Sequence, residues 1–469
     1  MPPTIYLETY GCQMNFADGE LILGHVGTSG YTRTTDPAAA DVILLNTCAI
    51  REHAEERVVG RLTDLARLKA IRPGLILGMS GCMAQHYRST VTDRVPMLDL
   101  IVGPDAYRRL PGLLDAIRAN NVPVTDYSGA SDEDPNARPE RERTLTDVRL
   151  DTDETYADLR SARVPGAVRA WITVMRGCDK FCTFCVVPYV RGRERSVPVD
   201  AVLRETREAV DDGAREVVFL GQTVNAYRDG DCDFAELLRR AAEIPGLARI
   251  RFTSPHPADV TPDLITVMRD VPAIAPQLHL PVQSGSDAVL DRMARGYTVA
   301  TFRDLVAQVR AAIPDIALST DVIVGFPDES PADYAATYAL LDELRFDQAY
   351  LYKYSQRTLT RAATWPDSVP EDEKGRRLTE VIALQERIAA ERNRAWIGRT
   401  VEILVEGPAR RPAGHISGKT PQFTTAIVNG TAAPGSLVTG TVVAATGHTM
   451  IAVADTDVDD AAIEHDLAV

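Results

Sequence analysis

The chain has 469 residues, 66 acidic against 51 basic side chains, a formal net charge of −15 and 45% hydrophobic residues. These values describe a globular protein of about three domains, with no apolar run approaching the roughly 18 residues of a membrane span and no basic-then-apolar leader after Met1-Pro2-Pro3-Thr4. A cytoplasmic location is expected, and the acidic balance argues against indiscriminate nucleic-acid binding while leaving room for a local basic patch.

Three apolar runs of strand length open the chain. Ile5-Tyr6-Leu7 leads into Thr9-Tyr10-Gly11-Cys12, Val42-Ile43-Leu44-Leu45 into Asn46-Thr47-Cys48, and Leu75-Ile76-Leu77 into Met79-Ser80-Gly81-Cys82. Helix-compatible sequence such as Arg51 to Lys69 follows each cysteine. Repeated β–Cys–α units form parallel strands with right-handed crossovers, and ligands of such sheets bind beyond the carboxyl ends of the strands. Cys12, Cys48 and Cys82 are therefore expected to converge as a three-thiolate site in an N-terminal α/β domain, residues 1–120. One such cysteine taken singly is more often a core residue; the shared position in three units, beside Gly11, Thr47 and Gly81, favours a site.

Residues 121–163 shift to charged and turn-forming sequence, with Ser131-Asp132-Glu133-Asp134-Pro135 and Arg138-Pro139-Glu140-Arg141-Glu142-Arg143, and are expected to be a linker of marginal structure. Residues 164–396 alternate strand-like and helix-like segments. The expected strands are Trp171 to Met175, Val217 to Leu220, Ile250 to Thr253, Gln277 to Leu280, Asp321 to Val324 and Ala349 to Tyr352, with amphipathic stretches such as Val199 to Asp212 between them and Gly213 placed as a C-cap. Six βα units imply a partial parallel barrel, (βα)6, closed by a helical segment from Asp372 to Trp396. Short β runs between glycine-rich turns then predict a small β-barrel at 397–458, and 459–469 an acidic tail. The fold class is α/β with this all-β module appended.

Immediately after the first expected barrel strand comes Cys178-Asp179-Lys180-Phe181-Cys182-Thr183-Phe184-Cys185, a C-x₃-C-x₂-C loop on the face where barrel active sites are built. An iron–sulfur cube wants four ligands, so a loop offering Cys178, Cys182 and Cys185 leaves one iron for a non-protein ligand. Zinc completed by His256 or His279 is the competing assignment, disfavoured because no second cysteine pair lies near. Cys232, between Asp231 and Asp233, is read as a bystander without a partner or an apolar setting.

The C-x₃-C-x₂-C run resembles the signature of radical S-adenosylmethionine enzymes, and six cysteines split three and three resemble the methylthiotransferase family over nearly the whole chain. The stretches that carry the likeness are Thr9 to Asn15, Asn46 to Glu52, Gly81 to Gln85, Lys180 to Tyr189 and Leu278 to Ser286, and they match the branch that acts on N6-isopentenyladenosine beside the anticodon of tRNA. The resemblance implies two [4Fe-4S] clusters, one on each cysteine set, and S-adenosylmethionine (SAM) serving both as methyl donor and as radical source. It further implies an RNA-binding TRAM module at the C-terminus, a tRNA anticodon loop as partner, an external electron donor and sulfur source, and a monomer with no membrane attachment. Rival branches act on threonylcarbamoyl-adenosine in tRNA or on an aspartate of a ribosomal protein; a non-catalytic iron–sulfur or RNA-binding protein is a different class.

On that resemblance SAM lies across the carboxyl face of the barrel, with Gln222, Asn225, Ser254, Gln283, Asp321 and Gly325 as its expected contacts. Tyr189, Arg191, Arg193 and Arg195 after the cysteine loop, and Arg399, Arg410, Arg411 and Lys419 in the β module, are the expected RNA contacts. Three positions depart from the family pattern: Asp328 where glycine is usual, Thr358-Leu359 where proline–glycine is usual, and Thr223 where asparagine is commoner.

Overall fold

The computed structural model describes residues 2–49, 52–119 and 144–455. Six parallel strands form the N-terminal sheet in the order Thr32–Arg33, Thr4–Thr9, Val42–Thr47, Ile76–Gly81, Leu100–Val102, Leu145–Asp147. Both faces are covered, which is why the strands read as unbroken apolar runs. Ile43, Leu45, Leu77 and Met79 pack under Val58, Leu62 and Leu65 of the helix Glu52–Ala66, while Val42, Leu44 and Ile76 pack under Leu21, Ile22 and Val26 of the helix Gln13–Thr28. The three strands that end in cysteines are adjacent, with Thr9 opposite Asn46 and Thr47 opposite Gly81. At about 4.8 Å per strand, their ends are within reach of one small ligand.

The expected linker differs from the structure in its second part; residues 121–143 and the tail 459–469 lie outside the described residues. Leu145–Asp147 is the edge strand of the N-terminal sheet, and the segment after it is tied back by Arg108 to Glu154 and Asp158 and by the Tyr156 hydroxyl to the Pro104 carbonyl. A three-residue strand is too short to show a period, and its charges read as solvated because their partners, Arg109 for Asp147, lie far back in the sequence.

The second domain is the expected partial barrel. Its strands, Arg169–Thr173, Glu216–Leu220, Arg249–Phe252, Gln277–His279, Ala317–Val324 and Gln348–Lys353, form two parallel three-stranded halves joined by a bridge between Ile250 and Ile274. Alternate residues point outward under the helices, as Ile172, Val217, Phe219 and Ile250 do. The inward set on the first strands runs Trp171, Val218 and Leu220, and Met14 and Ala17 of the helix Gln13–Thr28 pack on it. One helix thus serves both domains.

The inward positions at the amino ends of these strands are charged: Arg169, Glu216, Arg249 and Arg251. Glu216 is fully buried between Arg169 and Arg251. The closed five-stranded barrel of Thr400–Pro408, His415–Lys419, Thr425–Asn429, Leu437–Ala445 and Thr449–Ala454 caps that end. Arg249 donates to the Lys419 carbonyl at 2.6 Å and Arg251 to those of Thr420 and Pro421 at 2.8 Å. The Phe423 ring lies beneath Arg169, Arg251 and Lys419, with each cation 4.8 to 5.1 Å from its centre. The C-terminal module therefore sits on the barrel face opposite the cysteine loop.

Glu216→Ala leaves the buried Arg251 and the half-buried Arg169 without their shared carboxylate and is expected to cost about 3 kcal/mol in chemical denaturation. Burial raises the Glu216 carboxyl pKa, but Arg251 and Arg169 outweigh it and hold it below its ordinary value. Its contribution is therefore present above about pH 4.3 and is lost as pH falls below that, so limited proteolysis should release the C-terminal module more readily in acid.

Candidate active site

Each N-terminal cysteine is placed by a glycine or a strand end. Gly11 has φ +137°, and a Cβ there would lie 2.5 Å from both the Cys48 Cβ and Asn15 Oδ1. Gly81 has φ +91°, and its Cβ would meet the Thr47 carbonyl at 2.5 Å. Asn15 and Asn46 lock the loops together, Asn15 Nδ2 donating to the Thr47 carbonyl at 3.1 Å and Asn46 Nδ2 to the Asn15 carbonyl at 2.6 Å. Cys12 stands at the N-cap of the helix Gln13–Thr28 and Cys82 opens the helix Cys82–Tyr87. The Cys12 thiol is drawn down to about 6, first by its hydrogen bond with Cys48 and, against burial, by Arg191 and the N–H groups of Asn15 and Met14.

The second triad follows the first barrel strand. Gly177 has φ +76°, and a Cβ on it would fall 1.9 Å from the Arg193 carbonyl oxygen. The loop is pinned by Cys178 N–H to the Gly192 carbonyl at 3.1 Å and Thr183 N–H to the Met293 carbonyl at 3.1 Å. Cys178 and Cys182 are buried, and the Cys178 sulfur is 3.1 Å from the Thr223 hydroxyl. Burial, then the neighbouring Cys182, pushes the Cys185 thiol up to about 12; burial also raises Cys178. Three thiolates crowded in a dry pocket are unfavourable until a cationic group neutralises them, and this donor set fits such a group.

Among the described residues, no three His, Cys, Asp or Glu side chains close on a point tightly enough for a single metal ion. Ligands of one zinc lie within about 4 Å of one another, whereas a cubane spreads its cysteines over separate irons. Of the histidines proposed for zinc, His279 bonds Ser319 at 3.0 Å and faces Asp321 at 3.4 Å, and His256 Nδ1 accepts the Ala258 N–H at 3.3 Å. Each triad offers three thiol donors, the set that a four-iron cube with one open iron takes.

The triads are neighbours. The helix Val187–Arg191 starts two residues after Cys185, and Val186 and Val190 pack against Cys82 and Ala49. Five helical residues span about 7–8 Å. At its end Arg191 donates from Nε to the Cys82 sulfur at 3.1 Å and from Nη2 to Asp18 at 2.9 Å. Asp18 also pairs with Arg176 at 3.0 Å. Arg191 is 4% exposed, so its expected role as an RNA contact is corrected: it joins the two domains. Arg195 is likewise buried, on Asp105 at 2.9 Å.

Arg193 alone of the three points outward, held by Asp179 at 2.6 Å and lying over the Phe181 ring at 5.5 Å. Phe181 is 43% exposed with φ +47°, and Tyr189, 39% exposed, meets it edge-on at 6.3 Å. The sequence reading missed Phe181; its place between two cysteines masked a solvent-facing aromatic. Lys419 is half-buried over Phe423, and burial lowers its pKa, so it belongs to the domain junction rather than an RNA surface. Arg399 is exposed but paired with Asp315 at 2.6 Å and stacked on Trp396 at 4.0 Å, while Arg410 and Arg411 are exposed.

Of the residues expected to contact SAM, Gln222 places Oε1 in a buried position without a hydrogen-bond partner. Gln283 has φ +73° and pairs its backbone with Asp321 and Ile323. Asn225 instead spends both amide atoms on the backbone of His256, and Asp321 faces His279. Ser254 is exposed at φ +60°. Gly325 is required by packing, since a Cβ would meet the Lys374 side chain at 2.4 Å. His256, a competing zinc ligand on the sequence alone, is placed differently by the fold. With Nδ1 accepting, its proton sits on Nε2, which is buried without a partner, and burial, then Arg295 and Lys180, lowers its pKa to about 3.

The departures have local explanations. Asp328 and Leu359 have φ +64° and +74°, the region that favours glycine. Asp328 is held by Ser368 and Arg292, and Thr358 reaches His86 of the N-terminal domain at 2.7 Å. Cys232 is corrected: it lies in the apolar layer outside the barrel with Tyr227 and Phe234.

Residues 4–103 match the uncharacterized protein family UPF0004, and residues 172–341 match the radical SAM superfamily. A tRNA-2-methylthio-N(6)-dimethylallyladenosine synthase of Chloroherpeton thalassium is 44% identical over 418 residues, 88% of each chain. One of Acidothermus cellulolyticus is 41% identical over 458 residues, 96% of this chain and 88% of that one. The chain belongs to the tRNA-2-methylthio-N(6)-dimethylallyladenosine synthase family. In fold it is also similar to the radical S-adenosylmethionine methyltransferase TsrM of Kitasatospora setae, with cobalamin and a [4Fe-4S] cluster bound (TM-score 0.55, 12% identity, 77% of this chain and 74% of that one). The cobalamin-dependent S-adenosylmethionine radical enzyme OxsB gives a TM-score of 0.54 at 14% identity, covering 81% and 56% of the two chains.

Because Gly177 admits no side chain, Gly177→Ala is expected to displace Cys178 and to lower bound iron by about half after anaerobic reconstitution, with the helical circular dichroism retained.

Proposed function

We propose that the chain adds a methylthio group to C2 of N6-isopentenyladenosine beside the anticodon of tRNA. It uses two [4Fe-4S] clusters, with SAM as both methyl donor and radical source. Two three-cysteine sites meeting at one five-residue helix carry this reading, together with relatives named for the dimethylallyl-adenosine reaction. When bound, the cofactors supply what side chains lack: a radical able to attack an aromatic C–H that no base of ordinary strength deprotonates, and the sulfur and methyl to be transferred.

The chain supplies holding, placing and dryness. Cys178, Cys182 and Cys185 hold the radical-forming cluster and Cys12, Cys48 and Cys82 the auxiliary one. Gln222 and Gln283, with the unpartnered His256 Nε2–H, face SAM at the carboxyl ends of the barrel strands. Phe181 and Tyr189 offer ring faces on which an unpaired loop nucleotide stacks, with Arg193 beside them for phosphate. Exposed Arg410 and Arg411 extend the RNA surface to the TRAM module. Among the described residues no helix is long and apolar enough to cross a membrane. The enzyme acts as a monomer in the cytoplasm, fed by an external electron donor and sulfur source.

Anaerobically reconstituted protein, given reductant, SAM and isopentenylated tRNA, is expected to yield the 2-methylthio nucleoside in a mass-spectrometric digest. Product on threonylcarbamoyl-adenosine or on ribosomal protein instead sinks the assignment. Cys82→Ala is expected to keep SAM cleavage and lose the product, while Cys178→Ala loses both; each should hold about four irons fewer. Phe181→Ala should weaken tRNA binding about tenfold, the size of one lost base–aromatic stack, at unchanged iron content.

A further inference from the structure

Arg295, in the turn after the helix Asp287–Arg292, is 5% exposed. Its guanidinium is fully engaged: Nη1 donates to the Cys182 sulfur at 3.2 Å, Nη2 to the Pro281 carbonyl at 2.8 Å and Nε to the Tyr297 hydroxyl at 3.0 Å. Tyr297 in turn donates to the carbonyls of Pro281 and Val282 at 3.0 Å. Tyr297 and Cys182 are the ionisable groups that act most strongly on Arg295, which is also felt by Cys185 and His256, and its hydrogen bonds go to a sulfur, a carbonyl and a hydroxyl rather than to a carboxylate. Other buried arginines of this protein are matched to acids, Arg195 to Asp105, Arg251 to Glu216 and Arg377 to Glu329. A buried cation without a carboxylate is unfavourable unless another anion faces it, and the group facing it here is the Cys182 sulfur, which as a cluster ligand would carry negative charge.

We propose that Arg295 is a positioning residue that raises the reduction potential of the cluster held by Cys178, Cys182 and Cys185. It presents a fixed cation and one N–H to the Cys182 sulfur. Reduction moves one electron from an external one-electron donor onto the cluster and breaks no bond. The added negative charge lands beside the Arg295 guanidinium, while hydrogen bonds to cluster sulfurs and local charge are the protein's means of tuning such a couple. The auxiliary triad carries a parallel arrangement. Arg191 donates to Cys82, and Asp18, shared with Arg176, leaves one positive charge in surplus. Without these cations, a cube bound by three thiolates in a dry site would resist the electron that starts the reaction.

This inference rests on the cluster assignment above, and the experiment separates the two. In full-length protein with Cys12, Cys48 and Cys82 changed to alanine, only the cluster at issue remains, and its midpoint is read by EPR-monitored titration with dithionite. Arg295→Gln is expected to shift the midpoint to more negative potential by at least the equivalent of tenfold in the one-electron equilibrium, about 59 mV, at unchanged iron content. An unchanged midpoint with full iron overturns the role of Arg295. Should Arg295→Gln hold little iron, Arg295→Lys decides, because an ammonium keeps the charge but cannot reach both the Cys182 sulfur and the Pro281 carbonyl as the fork does. A lowered midpoint there supports the proposal and an equal one overturns it. Absence of any iron–sulfur signal in the parent protein would overturn the cluster assignment itself.

Discussion

The Asp18 carboxylate has no solvent exposure and faces Arg176 on one side and Arg191 on the other. Arg176 precedes the radical-type cysteine loop by two residues, Arg191 follows it by six, and the helix bearing Asp18 begins beside Cys12. One anion therefore fixes both ends of one cysteine loop to the element that starts the other site. Coulombic attraction in a dry seam is strong and direction-dependent, and loss of the shared acid strands two cations at a cost of several kcal/mol. The remaining seam contacts, Arg195 on Asp105 and Val186 and Val190 against Cys82, depend on that registration. A reaction needing groups delivered from two sites can tolerate little relative movement between them.

The barrel divides its ends by chemistry. Its amino ends carry an inward layer of Arg169, Glu216, Arg249 and Arg251, which would be intolerable in an apolar core but is satisfied by carbonyls of the C-terminal module and by Phe423. Its carboxyl ends carry the thiol loop and the partly unsatisfied Gln222 and His256. Gln222 Oε1 and His256 Nε2 stay unmet at the end where a barrel binds its ligand, while the charges at the other end are met by the module that docks there.

Both cysteine sets and the strand order that gathers them were legible in the sequence, because each depends on short-range spacing. Five of the six barrel strands were placed to within about two residues for the same reason, while the fifth begins at Ala317, four residues before the expected Asp321. What escaped depended on partners distant in sequence. Arg191, Arg193 and Arg195 look alike as alternate arginines, yet two are buried because Asp18 and Asp105 lie in another domain. Lys419 looked free for RNA because the junction that half-buries it is completed by Arg169 and Arg251 of the α/β barrel. Asp147 reads as a linker charge because its partner Arg109 belongs to the preceding domain. Arg295 carried no signal, since nothing in its neighbourhood names Cys182, more than a hundred residues earlier. Asp328 and Leu359 were recognised as unusual, and the positive φ at both explains why glycine is the ordinary occupant.

Docking the small β-barrel on the far end of the α/β barrel has a consequence for substrate size. Strands of three to eight residues separate the Phe423 junction from the cysteine loop, a gap on the order of 10–25 Å. If the module grips RNA as proposed, it does so at a distance from the modified base comparable to several stacked nucleotides. The two ends then act as the jaws of a calliper. A free nucleoside fits only one jaw, and selection falls on RNAs rigid enough to bridge both.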